Sequence, residues 1–138
     1  MPEIFNFHAV TQSIGSSGQP TREQFQLIAD DGYDVVINLA MPDHPKSISD
    51  EGALVAALGM VYLHLPVPFD APDERLYQLF CRSMTAFADR RVWVHCIVNA
   101  RVSAFLYRYL QTVGFTPEES TTPVLDAWRP QMDEVWAS

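Results

Sequence analysis

Residues 92–103, VWVHCIVNARVS, decide how this chain is expected to fold. The first of these residues are apolar and β-prone, which predicts a buried strand. Apolar residues then recur at helical spacing, namely Val102, Phe105, Leu106, Tyr109, Leu110 and Val113. The stretch therefore predicts a strand that enters a helix through a tight turn. That turn carries Cys96 at the strand end and Arg101 at the helix start.

Cys96 stands where a thiol becomes a nucleophile. Backbone N–H groups and the positive end of the helix dipole collect anions at a helix N-terminus, and a nearby guanidinium favours the thiolate further. Arg101, expected at a partly exposed helix start, offers a planar fork of donors that fits two oxygens of a tetrahedral anion. The hydroxyl of Ser103 can donate to the sulfur. The alternative is a buried structural cysteine, but His-Cys followed by Arg at such a turn favours the functional interpretation.

The stretch resembles the signature loop of the cysteine-dependent phosphatases, His-Cys-x-x-Gly-x-x-Arg-Ser/Thr, in particular the dual-specificity branch of the protein tyrosine phosphatases. The segments SGQPT (17–21), VVINL (35–39) and YLHLPV (62–67) are similar to a small bacterial group of phosphatase-like proteins, catalogued as a domain of unknown function. The resemblance runs from about residue 10 to about residue 115. It implies hydrolysis of a phosphomonoester through a cysteinyl-phosphate intermediate, with no metal and no organic cofactor.

The arginine of the motif stands one place early. Asn99 occupies the family's glycine position, and asparagine is the residue best able to replace glycine in a left-handed conformation. Ser103 matches the Ser/Thr position, but the arginine position is taken by Val102, so the motif is Cys-x4-Arg. Either the loop is one residue tighter, or the arginine enters the helix from a neighbouring position, about 100° around the axis.

The resemblance also implies a role for each residue of the loop. Cys96 attacks phosphorus, and His95 supports the loop from below. Substrate binding falls to Ile97, Val98, Asn99, Ala100, Arg101 and Ser103. The acid that protonates the leaving oxygen is an aspartate in the loop ahead of the helix that precedes the cysteine strand.

Asp70 occupies the place of this acid, although an aspartate before Ala-Pro is equally suited to a turn or a helix cap. Asp43 is a weaker candidate for the acid. We assign structural roles to His44 and His64. Core-sealing packing is expected for Trp128 and Trp136 near the end of the chain.

Two other functions remain open from the sequence. A six-residue loop from Cys96 to Arg101 has the length seen in sulfurtransferases of the rhodanese type. The SGQPT segment and Asp70 argue against sulfur transfer, which needs no such acid. The other alternative is a pseudophosphatase that binds phosphate or a phosphoprotein without turnover.

The composition predicts one globular α/β domain over residues 1–138, since 48% of the 138 residues are hydrophobic. We expect a mainly parallel sheet of four or five strands with helices on both faces and the site at the C-terminal strand ends. Strands are predicted over 4–10, 14–16, 35–39, 60–65 and 92–95. Helices are predicted over 21–30, 50–58 and 73–88, then from about residue 100 to 113, and from 116 onward.

Net charge and cysteine content limit which partners and which kinds of site the sequence predicts. A net charge of −8 argues against nucleic acid and anionic membranes, so the expected partner is a phosphorylated protein or a small phosphomonoester. The sequence contains no signal peptide and no run of 18 apolar residues, which predicts a cytoplasmic protein. Cys81 and Cys96 make no disulfide framework, and no Cys/His cluster has metal-ligand spacing. The sequence leaves the oligomeric state undetermined.

Overall fold

A five-stranded sheet forms the centre of the protein, and the computed structural model describes residues 4–68 and 73–127 of the chain. Its strands are β1 (His8–Ala9), β2 (Ile14–Ser17), β3 (Val35–Asn38), β4 (Val61–His64) and β5 (Val92–His95). They lie in the order β1-β2-β5-β3-β4. Only the β1–β2 pair is antiparallel; β2–β5, β5–β3 and β3–β4 are parallel. The mainly parallel sheet predicted from the sequence is confirmed.

Helices alternate with these strands at nearly the predicted positions. They are α1 (Arg22–Asp30), α2 (Glu51–Ala57), α3 (Glu74–Ala86), α4 (Ala100–Thr112) and α5 (Pro117–Ser120). Thr21 and Thr116 begin α1 and α5 with capping boxes. Asp73 caps α3 by accepting from the N–H of Arg75. Such caps satisfy N–H groups that have no partner inside a helix.

The first strand is shorter than predicted. Instead of extending from Ile4 to Val10, the chain folds into a turn in which the Phe7 N–H donates to the Ile4 carbonyl over 3.1 Å. Asn6 has a positive φ of 53° in this turn. A left-handed residue cannot continue an extended strand, so pairing begins only at His8.

The helices cover both faces of the sheet, as predicted. Val92 and Val94 of β5 join the apolar cluster under α3 and α4, which includes Phe80, Met84, Phe105 and Leu106. Trp93 points the other way into a cluster with Phe25, Ile28 and Val55 from α1 and α2. Because successive side chains of a strand face opposite ways, β5 is buried on both faces. No helix in the described ranges is long and apolar enough to cross a membrane.

The register brings three strand ends to one level. His95, the last residue of β5, pairs with Ser17 of β2 on one side and with Asn38 of β3 on the other. The segments that follow these residues therefore emerge together at the C-terminal edge of the sheet. Cys96 lies at the centre of that edge.

The contact between α3 and α4 provides a test of the core. Phe80 is fully buried against Phe105 and Tyr109, whereas its neighbour Leu79 is 44% exposed. We expect Phe80→Ala to lower the free energy of unfolding by about 3–5 kcal/mol, because it leaves a cavity in the core. Leu79→Ala should change it by less than about 0.5 kcal/mol. If urea denaturation shows the same loss of unfolding free energy for both variants, Phe80 is not the core residue of this contact.

Candidate active site

The segment 96–99 joins β5 to α4, and its carbonyl groups all have hydrogen-bond donors. His95 Nδ1 lies 3.1 Å from the carbonyl oxygen of Cys96. The backbone N–H of Gln19 donates to the carbonyl of Ile97 over 3.0 Å. The side chain of Asn6 donates to the carbonyl of Val98 over 2.9 Å. Three separate parts of the chain thus hold three successive carbonyls in place.

The N–H groups that follow Cys96 in this loop have no hydrogen-bond acceptor among the described residues. Among the described residues, the backbone N–H groups of residues 97–102 donate no hydrogen bond to a protein acceptor. These six groups stand before and within the first turn of α4, a helix of 13 residues. Successive free N–H groups at the positive end of a helix make a binding site for an anion.

Asn99 turns the chain into the helix. Its φ of 73° and ψ of 6° are left-handed, the conformation that its position in the motif predicted. Its side-chain N–H₂ donates to the Asn6 carbonyl (2.9 Å) and to Ser16 Oγ (3.1 Å). This side chain ties the loop to β2 and to the N-terminal segment.

Ser103 differs from its expected role as a donor to the sulfur. Its hydroxyl donates instead to Asn99 Oδ1 over 3.2 Å and accepts from the Thr122 hydroxyl over 3.0 Å. Ser103 is fully buried. It lies one helical turn after Asn99, so its hydroxyl reaches back to the turn residue. Its contribution in the structure is to hold Asn99.

Arg101 is buried rather than partly exposed. Only 7% of the residue is accessible, and Nη1 donates to the carbonyl of Val67 over 2.9 Å. Val102, which occupies the family's arginine position, is fully buried in the apolar cluster under α3 and α4. The position of Arg101, one residue earlier on the helix, is therefore the one that faces the loop side, while Val102 faces the core.

A cavity of about 540 Å³ adjoins the loop. It is lined by Met41, Asp43, His44, Pro45, Ile97, Val98 and Arg101. Most of these side chains are apolar, and the guanidinium of Arg101 supplies positive charge. Cys96 itself is fully buried. The cavity can hold the organic part of a substrate while the free N–H groups and Arg101 bind its anionic part.

His44 and Asp43 lie in the wall of this cavity, so His44, to which the sequence assigned a structural role, also borders the site. The His44 Nδ1 accepts the backbone N–H of Lys46 over 3.0 Å. A neutral ring then carries its proton on Nε2. Asp43 and His44 belong to the loop that follows β3. The Ser47 hydroxyl stabilises this loop by donating to the Met41 carbonyl over 2.8 Å. His64 has a structural contact, with Nε2 2.7 Å from the carbonyl oxygen of Ala40.

Sequence reasoning missed Glu51, which lies beneath the loop. Its carboxyl is 1% exposed, and Oε2 lies 2.6 Å from Nε2 of the fully buried His95. Its other oxygen accepts from Gln19 Nε2 over 2.9 Å. Gln19 belongs to the SGQPT segment noted in the sequence, but nothing local pairs it with a glutamate 32 positions away.

Asp70 lies outside the described residues, as do Trp128 and Trp136, so their predicted roles stay predictions. Val67, which binds Arg101, is separated from Asp70 only by Pro68 and Phe69 along the chain. Within residues 4–68 and 73–127, no group of three or more His, Cys, Asp or Glu side chains could hold a metal ion.

Comparison with known proteins shows the family to which this chain belongs. Residues 11–114 match the family model described as "Polymorphic toxin system, DSP-PTPase phosphatase". This chain belongs to that phosphatase family. The matched residues include the loop, Arg101 and four of the five strands, β2 to β5. No curated protein matches the phosphatase in sequence.

Solved structures share its fold. A candidate phosphatase (DUF442) from Shewanella putrefaciens CN-32 is 32% identical, with a TM-score of 0.82 over 97% of this phosphatase and 90% of that chain. TpbA of P. aeruginosa, as a cysteine-to-serine variant with phosphotyrosine, is 17% identical (TM-score 0.74, 96% and 82% covered). The core catalytic domain of the PP-IP phosphatase SIW14 of S. cerevisiae is 14% identical (TM-score 0.72, 92% and 75% covered).

The left-handed turn of the phosphatase gives a test of the loop. Asn99→Gly and Asn99→Ala both lose the side-chain hydrogen bonds, but only alanine is strained at a positive φ. We therefore expect the glycine variant to be more stable by about 1 kcal/mol in chemical denaturation. At Ala53, an exposed position inside α2, glycine should instead be less stable than alanine by about 0.5–1 kcal/mol. The same order of stability at both positions would contradict a left-handed Asn99.

Proposed function

We propose that the protein hydrolyses phosphomonoesters through a cysteinyl-phosphate intermediate. The observation that carries this proposal is the run of N–H groups over residues 97–102, directly after Cys96, that have no acceptor among the described residues, together with Arg101 in the wall of the adjoining cavity. Such an array stabilises the charge that develops on the oxygens of a transferring phosphoryl group. Membership of a phosphatase family supports this chemistry over the sulfur transfer that the loop length alone allows.

The reaction has two steps. In the first, the thiolate of Cys96 attacks phosphorus, an S–P bond forms, and the ester P–O bond breaks as Asp70 gives its proton to the leaving oxygen. In the second, the Asp70 carboxylate takes a proton from water, which attacks phosphorus. The S–P bond breaks, inorganic phosphate leaves, and the thiolate is restored. The substrate oxygens are held by the N–H groups of the loop and by Arg101 in both steps.

The proposed substrate class is an aryl phosphate, such as phosphotyrosine in a protein, or a small phosphomonoester. Met41, Pro45, Ile97 and Val98 give the cavity apolar walls that suit a flat ring. TpbA was solved with phosphotyrosine, which has such a ring. No metal or organic cofactor takes part in either step.

Binding without turnover is the second candidate, and the burial of Cys96 favours it. A nucleophile must reach phosphorus in line with the leaving oxygen. If Cys96 stays buried when substrate binds, the loop would bind an oxyanion and the thiol would stay unreacted. The following experiment separates the two candidates.

The covalent intermediate can be trapped. We expect acid quenching during turnover of a phosphorus-labelled aryl phosphate to leave label on the protein, because the S–P bond forms before water attacks. Cys96→Ser should abolish both the label and turnover. The matched control is Cys81→Ser, since Cys81 belongs to α3 rather than to the loop, and this variant should keep both. Oxyanion binding by the wild type without label or turnover would instead identify a pseudophosphatase.

Leaving-group dependence identifies the acid. We expect Asp70→Asn to slow hydrolysis of alkyl phosphates by about 10²–10⁴-fold, because a poor leaving group needs a proton. Aryl phosphates with good leaving groups should be slowed far less. Asp43→Asn, in the cavity wall, should change the rates of both substrates by similar factors. If Asp43→Asn, and not Asp70→Asn, slows alkyl phosphates far more than aryl phosphates, Asp43 is the acid.

A further inference from the structure

The carboxyl group of Glu51 joins two chains of hydrogen bonds, called lines below. Both lines end on the loop of residues 96–101, the anion loop. Along the first, Glu51 Oε2 meets His95 Nε2 at 2.6 Å, and His95 Nδ1 meets the carbonyl oxygen of Cys96 at 3.1 Å. Along the second, Gln19 Nε2 donates to Glu51 Oε1 over 2.9 Å, and the backbone N–H of Gln19 donates to the carbonyl of Ile97 over 3.0 Å. One side chain thus fixes the partners of two successive carbonyls.

These contacts determine where the protons lie on His95. A carbonyl oxygen can only accept, so Nδ1 must carry a hydrogen. Nε2 faces a carboxyl oxygen, and a stable contact at 2.6 Å requires a proton between them. Either His95 donates to a carboxylate, or a protonated Glu51 donates to the ring. In the first arrangement the ring carries a proton on both nitrogens, in the second only on Nδ1, and in both the contact with Glu51 holds the orientation of the ring.

Tyr62 is a further polar neighbour of the Glu51 carboxyl. Tyr62 approaches it from β4, and burial raises the pKa of Tyr62 to about 12, with Glu51 contributing, so this neighbour stays protonated. Asn38 donates to the same Tyr62 hydroxyl over 2.9 Å. A carboxyl that is 1% exposed carries a large desolvation cost, which hydrogen bonds to His95 and Gln19 offset only in this geometry.

We propose that Glu51 is a positioning residue of the anion loop. It orients His95 and Gln19 so that the carbonyls of Cys96 and Ile97 stay turned toward them. The N–H groups that follow are then left free for the oxygens of the phosphoryl group. Glu51 contacts no substrate in this role. The inference rests on the proposed function for its kinetic consequence, but the geometry of the loop can be tested without turnover.

Two substitutions separate positioning from charge. Glu51→Gln keeps both lines, because its carbonyl oxygen can accept from Gln19 while its N–H₂ donates to a neutral His95 ring. Glu51→Leu keeps the volume and removes both lines. The matched control is Glu74→Gln, which removes an exposed carboxylate paired with Arg108 at the surface.

We expect Glu51→Leu to weaken binding of tungstate, a tetrahedral oxyanion, by about tenfold or more, since misaligned N–H groups lose hydrogen bonds. It should also move the backbone amide NMR signals of residues 97–102 in the free protein. In turnover it should lower kcat more than it raises KM, because the loop binds the transition state most strongly. Glu51→Gln should stay within about threefold of wild type, consistent with retained hydrogen bonds.

The proposal is overturned if Glu51→Leu keeps its loop signals and tungstate affinity within twofold of the Glu74→Gln control, or if Glu51→Gln is impaired as severely as Glu51→Leu. If Glu51→Leu does not fold, Gln19→Leu removes one line only, and unchanged signals for residues 97–99 would then overturn it. Tungstate binding without turnover of any phosphomonoester would reject the proposed function and leave the positioning test intact.

Discussion

The site depends on a constraint that every α-helix carries: its first N–H groups have no acceptor within the helix. At the start of α4 the loop carbonyls that might accept them are already bonded to His95, Gln19 and Asn6. Among the described residues the N–H groups of residues 97–102 have no acceptor, and they lie where the helix dipole is positive. An oxyanion is the ligand that such a surface selects.

The sheet makes this arrangement possible because β5 is its central strand. Ser17 and Asn38 flank His95 in register, so the chain segments after β2 and β3 emerge next to the loop. The segment after β2 brings Gln19 under the loop. The segment after β3 first forms the cavity wall at residues 41–45 and then delivers Glu51 at the start of α2. The order of the strands thus brings together the residues beneath the anion loop, the cavity wall and the anion loop itself.

The early arginine shows how a one-residue change in a motif is absorbed. Arg101 lines the cavity and reaches the Val67 carbonyl, whereas Val102 packs into the core. Adjacent helical residues point about 100° apart, so only one of the two can face the site. Here the apolar residue takes the core position, and the arginine takes the position that lines the cavity. The cost is that Arg101 is buried and depends on Val67, which connects it to the segment that leads to Asp70.

The sequence by itself determined the helices, the order of the elements along the chain, every strand but the extent of β1, and the loop from Cys96 to Arg101. Those features depend on local periodicity, capping residues and a turn that needs Asn99. Only the tertiary structure decided which distant side chains surround that loop: Glu51 beneath it and His44 in the cavity wall. It also decided that the Ser103 hydroxyl holds Asn99 rather than the sulfur. Contacts between residues tens of positions apart leave no local pattern, because they depend on strand order and register rather than on sequence spacing.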